Sequence, residues 1–287
     1  LSVCIYRIPH GREKGLAGIT VGSDGETEEV PPQEPNEDAS ESTEPGEKFT
    51  IMYPPRSLCT SCGEQLLWWH NIPILSWLIL GGKCWFCKTT ISSRYPTVEA
   101  LSAGLCALAF HQFDFATACV VYIFSAALIV LSFIDIDYYI LPNVITYPGT
   151  AIGIVIAAVN QFTGVFAWPV VPDLLTAFYG FLAGAGFLFL ISEGYFRLRG
   201  KVGLGLGDVK LLAMVGVLFG PEASLVTIFL GSFVGAVLGV LLLLLRLQKF
   251  SKPLPFGPYL AMGTLLHLYL GPDFPQTLIA KYLYGIG

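Results

Sequence analysis

Residues 115–143 read FATACVVYIFSAALIVLSFIDIDYYILPN. The first twenty carry no charge, and as a helix they would be about 30 Å long, the thickness of a bilayer's hydrocarbon core. Two carboxylates then arrive together, Asp135 and Asp137, and Pro142 keeps the helix from running on unbroken. An oily helix that ends in bare acids is the signature of a membrane protein with chemistry at its surface.

The rest of the chain agrees. Of 287 residues, 54% are hydrophobic and 13% charged. A soluble domain carries about 25% charged residues, so most of this chain has no need to face water. Further apolar runs lie at residues 98–110, 144–159, 174–191, 209–219, 225–245 and 257–270, giving about seven spans with 115–134. The run 209–219 covers only about 16 Å and reads as a short span or a helix buried among others. Residues 1–9 are too short to span and are read as the remnant of a first transmembrane helix. The fold class expected is an all-α polytopic membrane bundle. A net charge of −5 argues against nucleic acid as a partner. Ten of the 21 acids fall between Asp24 and Glu47 with no Lys or Arg among them. That insert, residues 22–47, cannot bury a core and is expected to be a disordered, solvated loop.

Basic residues set the orientation. Eight precede the first span, from Arg7 to Arg94. Arg197, Arg199, Lys201 and Lys210 lie between the fourth and fifth, and Arg246, Lys249 and Lys252 follow the sixth. The connections 111–114, 160–173 and 220–224 have none, and only Lys281 breaks the alternation. Short cytoplasmic loops collect Lys and Arg, so the first ~95 residues and, by alternation, residues 135–143, 197–210 and 246–255 are expected on the cytoplasmic side. Asp135 and Asp208 then share one membrane face, although 73 residues separate them.

Asp208 stands in GLGLGDVKLL, residues 203–212. Its bland reading is a helix N-cap or a solvated loop acid. Its chemical reading is as partner to Asp135. Two carboxyls brought together share a proton; the ionised one activates water and the protonated one polarises a carbonyl. Gly203, Gly205 and Gly207 would let a backbone approach closely.

CTSC and CWFC place Cys59, Cys62, Cys84 and Cys87 in two knuckles, a spacing suited to a tetrahedral Cys4 zinc site on a small zinc-ribbon-like domain. Disulfides are disfavoured if this region is cytoplasmic and reduced. Cys4, Cys106 and Cys119 read as small apolar residues. Between the knuckles, residues 66–80 contain His70, Asn71 and Pro73, so the segment is expected at the membrane interface with its tryptophans at headgroup level.

GLGD at 205–208 fits the GxGD pattern of intramembrane aspartyl proteases. Together with IDIDYYILPNVIT, residues 54–103 and PFGPYLAMG (255–263), it resembles the type IV prepilin peptidases, also called leader peptidase and N-methyltransferase. The resemblance covers nearly all of the chain except the acidic insert. It implies catalytic roles for Asp135 and Asp208, with Asp137 the alternative within the D-x-D. It matches Lys210 to a GDxK pattern, where a cation beside Asp208 would stabilise its ionised form. Asn143 stands where the family usually has Asp, which suggests a structural or capping position. The resemblance further implies a structural rather than catalytic zinc, and S-adenosylmethionine as methyl donor, although no nucleotide-binding motif is visible. Glu99 and Glu193, near the same face, are candidates for substrate contact or simple interfacial solvation.

The expected organisation is a remnant helix at 1–9, a cytoplasmic domain at 10–95 and a membrane-embedded peptidase at 96–287. The expected function is removal of the leader of type IV prepilins or type II secretion pseudopilins at the cytoplasmic face of the inner membrane, followed by N-methylation. The partners are those substrates and the lipid bilayer. The rival readings are a transporter or channel using intramembrane acids, and a non-catalytic pilin-binding protein.

Overall fold

The computed structural model of the protein describes residues 74–200, 205–245 and 255–271 without interruption, together with 5, 59, 61, 62, 64–67, 69 and 72. The acidic insert, most of residues 1–9, His70, Asn71, Pro73, Cys4, Gly203 and the basic residues after the sixth run lie outside the described residues. The chain forms two compact units, Leu1–Glu99 and Ala100–Gly287.

In the first unit, Lys83 pairs with Thr90 in an antiparallel bridge, and Cys84 N–H donates to Thr89 O at 2.8 Å. This small hairpin carries the second cysteine pair. The short helix α1 (Leu75–Ile79) is fixed to it by Trp77, whose indole N–H donates to Ile91 O at 3.2 Å. The Trp77 ring lies so close to Gly82 that a Cβ there would stand 2.9 Å from it, and Gly82 also has a positive φ of 68°. Both facts require glycine. Leu75, Leu78 and Ile79 are exposed, and no membrane-length helix forms here among the described residues.

α2 (Arg94–Gln112) belongs to the second unit from Ala100 onward. The second unit continues with α3 (Phe115–Tyr138), α4 (Asn143–Thr163), α5 (Leu174–Arg199), α6 (Leu206–Leu244) and α7 (Gly257–Leu270). Every one of the seven apolar runs is helical. Four of the described helices, α3 to α6, are long and apolar enough to cross a membrane. α6 holds two of the runs, because Gly220 takes non-helical angles (φ 85°, ψ −175°) and Pro221 follows it. An L-residue would be strained at that φ, and proline removes a donor beside it, so the helix breaks there.

The limb before the break is the centre of the bundle. Residues 211–220 are all buried, as expected of a helix that is apolar on every side. Its Leu211, Leu212, Met214 and Val215 share a core with Leu128 and Leu131 of α3 and Leu260 and Leu268 of α7. Against α5 the approach is backbone to backbone. A Cβ on Gly180 would fall 1.9 Å from Gly216 O, and one on Gly216 would fall 2.1 Å from Gly180 O. Small residues at helix crossings allow this contact in membranes, where packing replaces the hydrophobic drive. After the break, Phe229, Phe233 and Val237 are exposed, an arrangement suited to lipid.

At the end of the bundle where α3 and α5 begin, acids cap helices. Asp114 accepts from Thr117 N–H at 3.1 Å and Asp173 from Thr176 N–H at 2.7 Å. Those backbone donors hold both carboxyls below the usual range. Buried Asn160 ties down the α4–α5 connection with three hydrogen bonds, to Phe166 N–H, Phe166 O and Val171 O.

Candidate active site and metal centre

Asp135 lies in the last turn of α3. The helix stops at Tyr139, which adopts the left-handed conformation (φ 55°) while its N–H donates to Asp135 O at 2.9 Å. The stop therefore comes before Pro142, which serves instead as the residue before α4. The turn between carries Leu141 into the core. A Cβ on Gly207 would stand 3.1 Å from Leu141 Cβ, and one on Gly257 would stand 3.4 Å from Leu141 Cδ2. Three chain segments, the α3–α4 turn and the starts of α6 and α7, thus converge on one leucine.

Both acids are buried in this convergence, Asp135 to 6% exposure and Asp208 to 8%. They lie within electrostatic reach of one another. Asp208 is in the first turn of α6, its N–H donating to Gly205 O at 3.1 Å. The Asp135 carboxylate accepts from Gly257 N–H at 3.0 Å. Asp137 is exposed and makes contacts of its own. Two residues apart on a helix point about 200° apart, so α3 can bury only one of its two acids against α6 and α7.

Lys210 does not turn toward Asp208. Its ammonium donates to Asn143 Oδ1 at 2.8 Å and lies 5.1 Å from the centre of the Tyr147 ring. The same i, i+2 divergence separates Lys210 from Asp208. Asn143 is the first residue of α4, after Pro142, and its side chain links two helix starts. Glu99 accepts from Ile74 N–H at 2.9 Å, at the entry to α1, and Glu193 pairs with Arg197 at 2.7 Å on the surface of α5. Gly257 and Leu141 were given no role from sequence. Pro258 in the first turn of α7 does mark a helix start there, but a backbone donor has no letter of its own.

The four cysteines Cys59, Cys62, Cys84 and Cys87 place their sulfurs within 4.8 Å of one another, with Cys59 and Cys87 at 3.8 Å. All four are free thiols. Four thiolates at zinc–sulfur distance around one tetrahedral ion are about 3.8 Å apart, so the donor set and its spacing fit such an ion. The Thr89 hydroxyl, 3.3 Å from Cys87 Sγ, and the Thr89 N–H pull that thiol down to about 6. The neighbouring Cys59 and Cys87 sulfurs help push the Cys62 thiol the other way, up to about 12, so the cluster titrates as one set. Cys106 and Cys119 are half-buried in the helical unit.

The fold and these two sites define a multi-helix membrane protein with a pair of buried acids at one end of its bundle and a separate four-cysteine cluster. Residues 1–113 match the bacterial peptidase A24 N-terminal domain, and residues 122–240 match the type IV leader peptidase family. A prepilin leader peptidase/N-methyltransferase of Pseudomonas aeruginosa is 38% identical over 226 residues, 78% of this chain and 75% of the relative. Proteins of the same description from Stutzerimonas stutzeri (38% over 243 residues, 84% and 79%) and Aeromonas hydrophila (36% over 230 residues, 80% and 76%) are similar in extent. The chain belongs to the type IV leader peptidase family. No solved structure matches it.

Proposed function

We propose that this protein is an aspartyl endopeptidase that removes the leader of type IV prepilins or type II secretion pseudopilins, with Asp135 and Asp208 as its acid–base pair. The observation that carries the reading is the joint burial of these two acids beside Leu141, in a chain of this family. Carboxyls held close in a partly dehydrated site share one proton. The ionised member takes a proton from water as the water's oxygen attacks the scissile carbonyl carbon. The protonated member hydrogen-bonds the carbonyl oxygen as negative charge develops there. Collapse of the tetrahedral adduct breaks the C–N bond, and a proton passes to the leaving amine. No covalent enzyme intermediate is needed. The glycines at the entry to α6 make room for the site itself, Gly207 for Leu141 and Gly205 for the Asp208 carboxylate.

The distribution of Lys and Arg supports a cytoplasmic site, with the protein in the inner membrane and the substrate's apolar helix alongside the bundle. The same reading divides the chain into a cytoplasmic domain to about residue 95 and a membrane domain from 96. Cys59, Cys62, Cys84 and Cys87 would hold a structural zinc, which cross-links the two knuckles and supplies folding energy rather than a catalytic water. Methylation of the new N-terminus with S-adenosylmethionine is the second activity proposed, on the strength of the relatives' description.

The test is cleavage of a purified prepilin by the native protein and by Asp135→Asn, Asp208→Asn and Asp137→Asn. Loss in the first two with retention in the third is expected; cleavage surviving either of the first two overturns the pair. Labelled S-adenosylmethionine in the same reaction should label the mature pilin. A fully cleaved, unlabelled product would remove the methyl-transfer reading alone.

A further inference from the structure

We propose that Gly257, through its backbone N–H and its missing side chain, is a positioning residue for the Asp135 carboxylate. The proposal rests on the reading of Asp135 as a catalytic acid, and it adds the element that aims it.

Asp135 needs such an element. It stands at the C-terminal end of its own helix, where the peptide dipoles present carbonyl oxygens and offer a carboxylate nothing. Its donor comes from 122 residues away. Gly257 N–H reaches Oδ2 at 3.0 Å, and no other hydrogen-bond donor to this carboxylate is found among the described residues. Gly257 is the first residue of α7, so its N–H is one of those the helix itself leaves unpaired. Pro258, next in the chain, has no N–H to compete. The N-terminal dipole of α7 is thereby directed at the acid.

The second half of the argument is steric. A Cβ on residue 257 would lie 2.7 Å from Asp135 Oδ2, 3.2 Å from its Cγ and 3.4 Å from Leu141 Cδ2. The first of these distances is too short for any side chain, so a residue larger than glycine must push the carboxylate out of place. The donor is also rigidly mounted. The hydroxyls of Thr264 on α7 and Thr227 on α6 are 3.1 Å apart, and Leu260 is fully buried. Pinning one carboxylate oxygen from a fixed helix sets both the rotamer and the direction in which the other oxygen presents its lone pairs. A misplacement of about 1 Å is enough to cost roughly a hundredfold in rate.

The experiment compares kcat and KM for a prepilin substrate in the native protein, Gly257→Ala, Gly263→Ala and Asp135→Asn, with Tm in detergent for each. Gly263 lies on the same helix, where a Cβ would fall 2.9 Å from Thr227 O, and it is remote from the acids. It reports the cost of loosening α7 without touching Asp135. Gly257→Ala is expected to lower kcat by ten- to a hundredfold with KM within about twofold. Gly263→Ala is expected to lower Tm and to lower kcat, measured well below that Tm, less than Gly257→Ala does. A folded Gly257→Ala protein with native kcat overturns the proposal. If Gly257→Ala does not fold, a backbone ester at residue 257 deletes the N–H and adds no side chain; it should lower kcat about tenfold, and native kcat in the ester protein overturns the proposal. Asp135→Asn separates the two ideas. Activity in that variant removes the acid pair itself, whereas an inactive Asp135→Asn beside a fully active Gly257→Ala removes only the positioning role.

Discussion

The two ends of α3 carry the same side chain in opposite circumstances. At its start, Asp114 is exposed and accepts from Thr117 N–H, the usual arrangement of an acid at a helix N-terminus. About 32 Å further on, Asp135 is buried at the C-terminal end and its carboxylate must borrow a donor from another helix. Asp173 repeats the first case at the start of α5. Asp208 also opens a helix, but it is buried within reach of Asp135. The capping acids are satisfied locally and add to stability. Asp135 is held from a distant part of the chain, and both buried acids stand at a cost in solvation that only a use for them explains.

The contrast breaks first at the buried pair. Asp135→Asn or Asp208→Asn should lower kcat for leader cleavage by about a thousandfold with little change in Tm, whereas Asp137→Asn should stay within about threefold. Equal losses in all three would erase the distinction between buried and exposed acids. The four-cysteine cluster should respond in the opposite sense. Cys84→Ser, at the one buried cysteine of the four, should reduce bound metal from about one ion per chain to below about 0.1 by elemental analysis, with loss of tryptophan near-UV signal from the first unit. Metal retained at full stoichiometry would place the ion elsewhere.

Smaller effects test the scaffold. Gly216→Ala forces a methyl group into the Gly180 backbone and should cost at least about 2 kcal/mol of stability, seen as a lower Tm. The smallest effect belongs to the cap. Asp114→Ala should cost about 1 kcal/mol at neutral pH and leave cleavage unchanged. The carboxyl of Asp114 is held below its ordinary value, so its contribution is fully present above the unfolded value of about 3.9 and is lost as pH falls through the lowered one. The Tm difference between native and Asp114→Ala proteins should therefore close in acid. A difference that persists well below pH 3 would mean that Asp114 acts through something other than its charge.

Much of this was legible in the letters. The apolar runs became helices because uninterrupted hydrophobicity leaves the backbone no other way to satisfy its polar groups in lipid. The break after Phe219 was visible as the gap between the runs 209–219 and 225–245, and the cysteine cluster as two C-x-x-C pairs at a metal-binding interval. The choice between Asp135 and Asp137 was not legible, since a D-x-D on a helix presents both faces and only packing decides which is buried. Nor was the true end of α3, where Tyr139 takes a conformation that sequence patterns assign to glycine or asparagine. Lys210 illustrates a third limit. Its position in the motif suggested service to Asp208, yet two residues of helix turn it toward Asn143 and Tyr147. Gly257 was least legible of all, because its contribution is an N–H that every residue but proline possesses, in a place only glycine fits.

The break at Gly220 also sets a length. The limb of α6 that carries Asp208 runs over residues 206–219, about 21 Å of helix. α3 beside it has 24 residues and about 36 Å. A hydrocarbon core of about 30 Å is matched by the second and not by the first. Hydrophobic mismatch of this size is met by local thinning of the bilayer or by a helix recessed within its neighbours. Either brings the polar boundary and the level of Asp208 into a relation that α3 alone would not set. Lipid acyl length then becomes a variable of the enzyme's environment, and vesicles of graded thickness are the instrument that reads it.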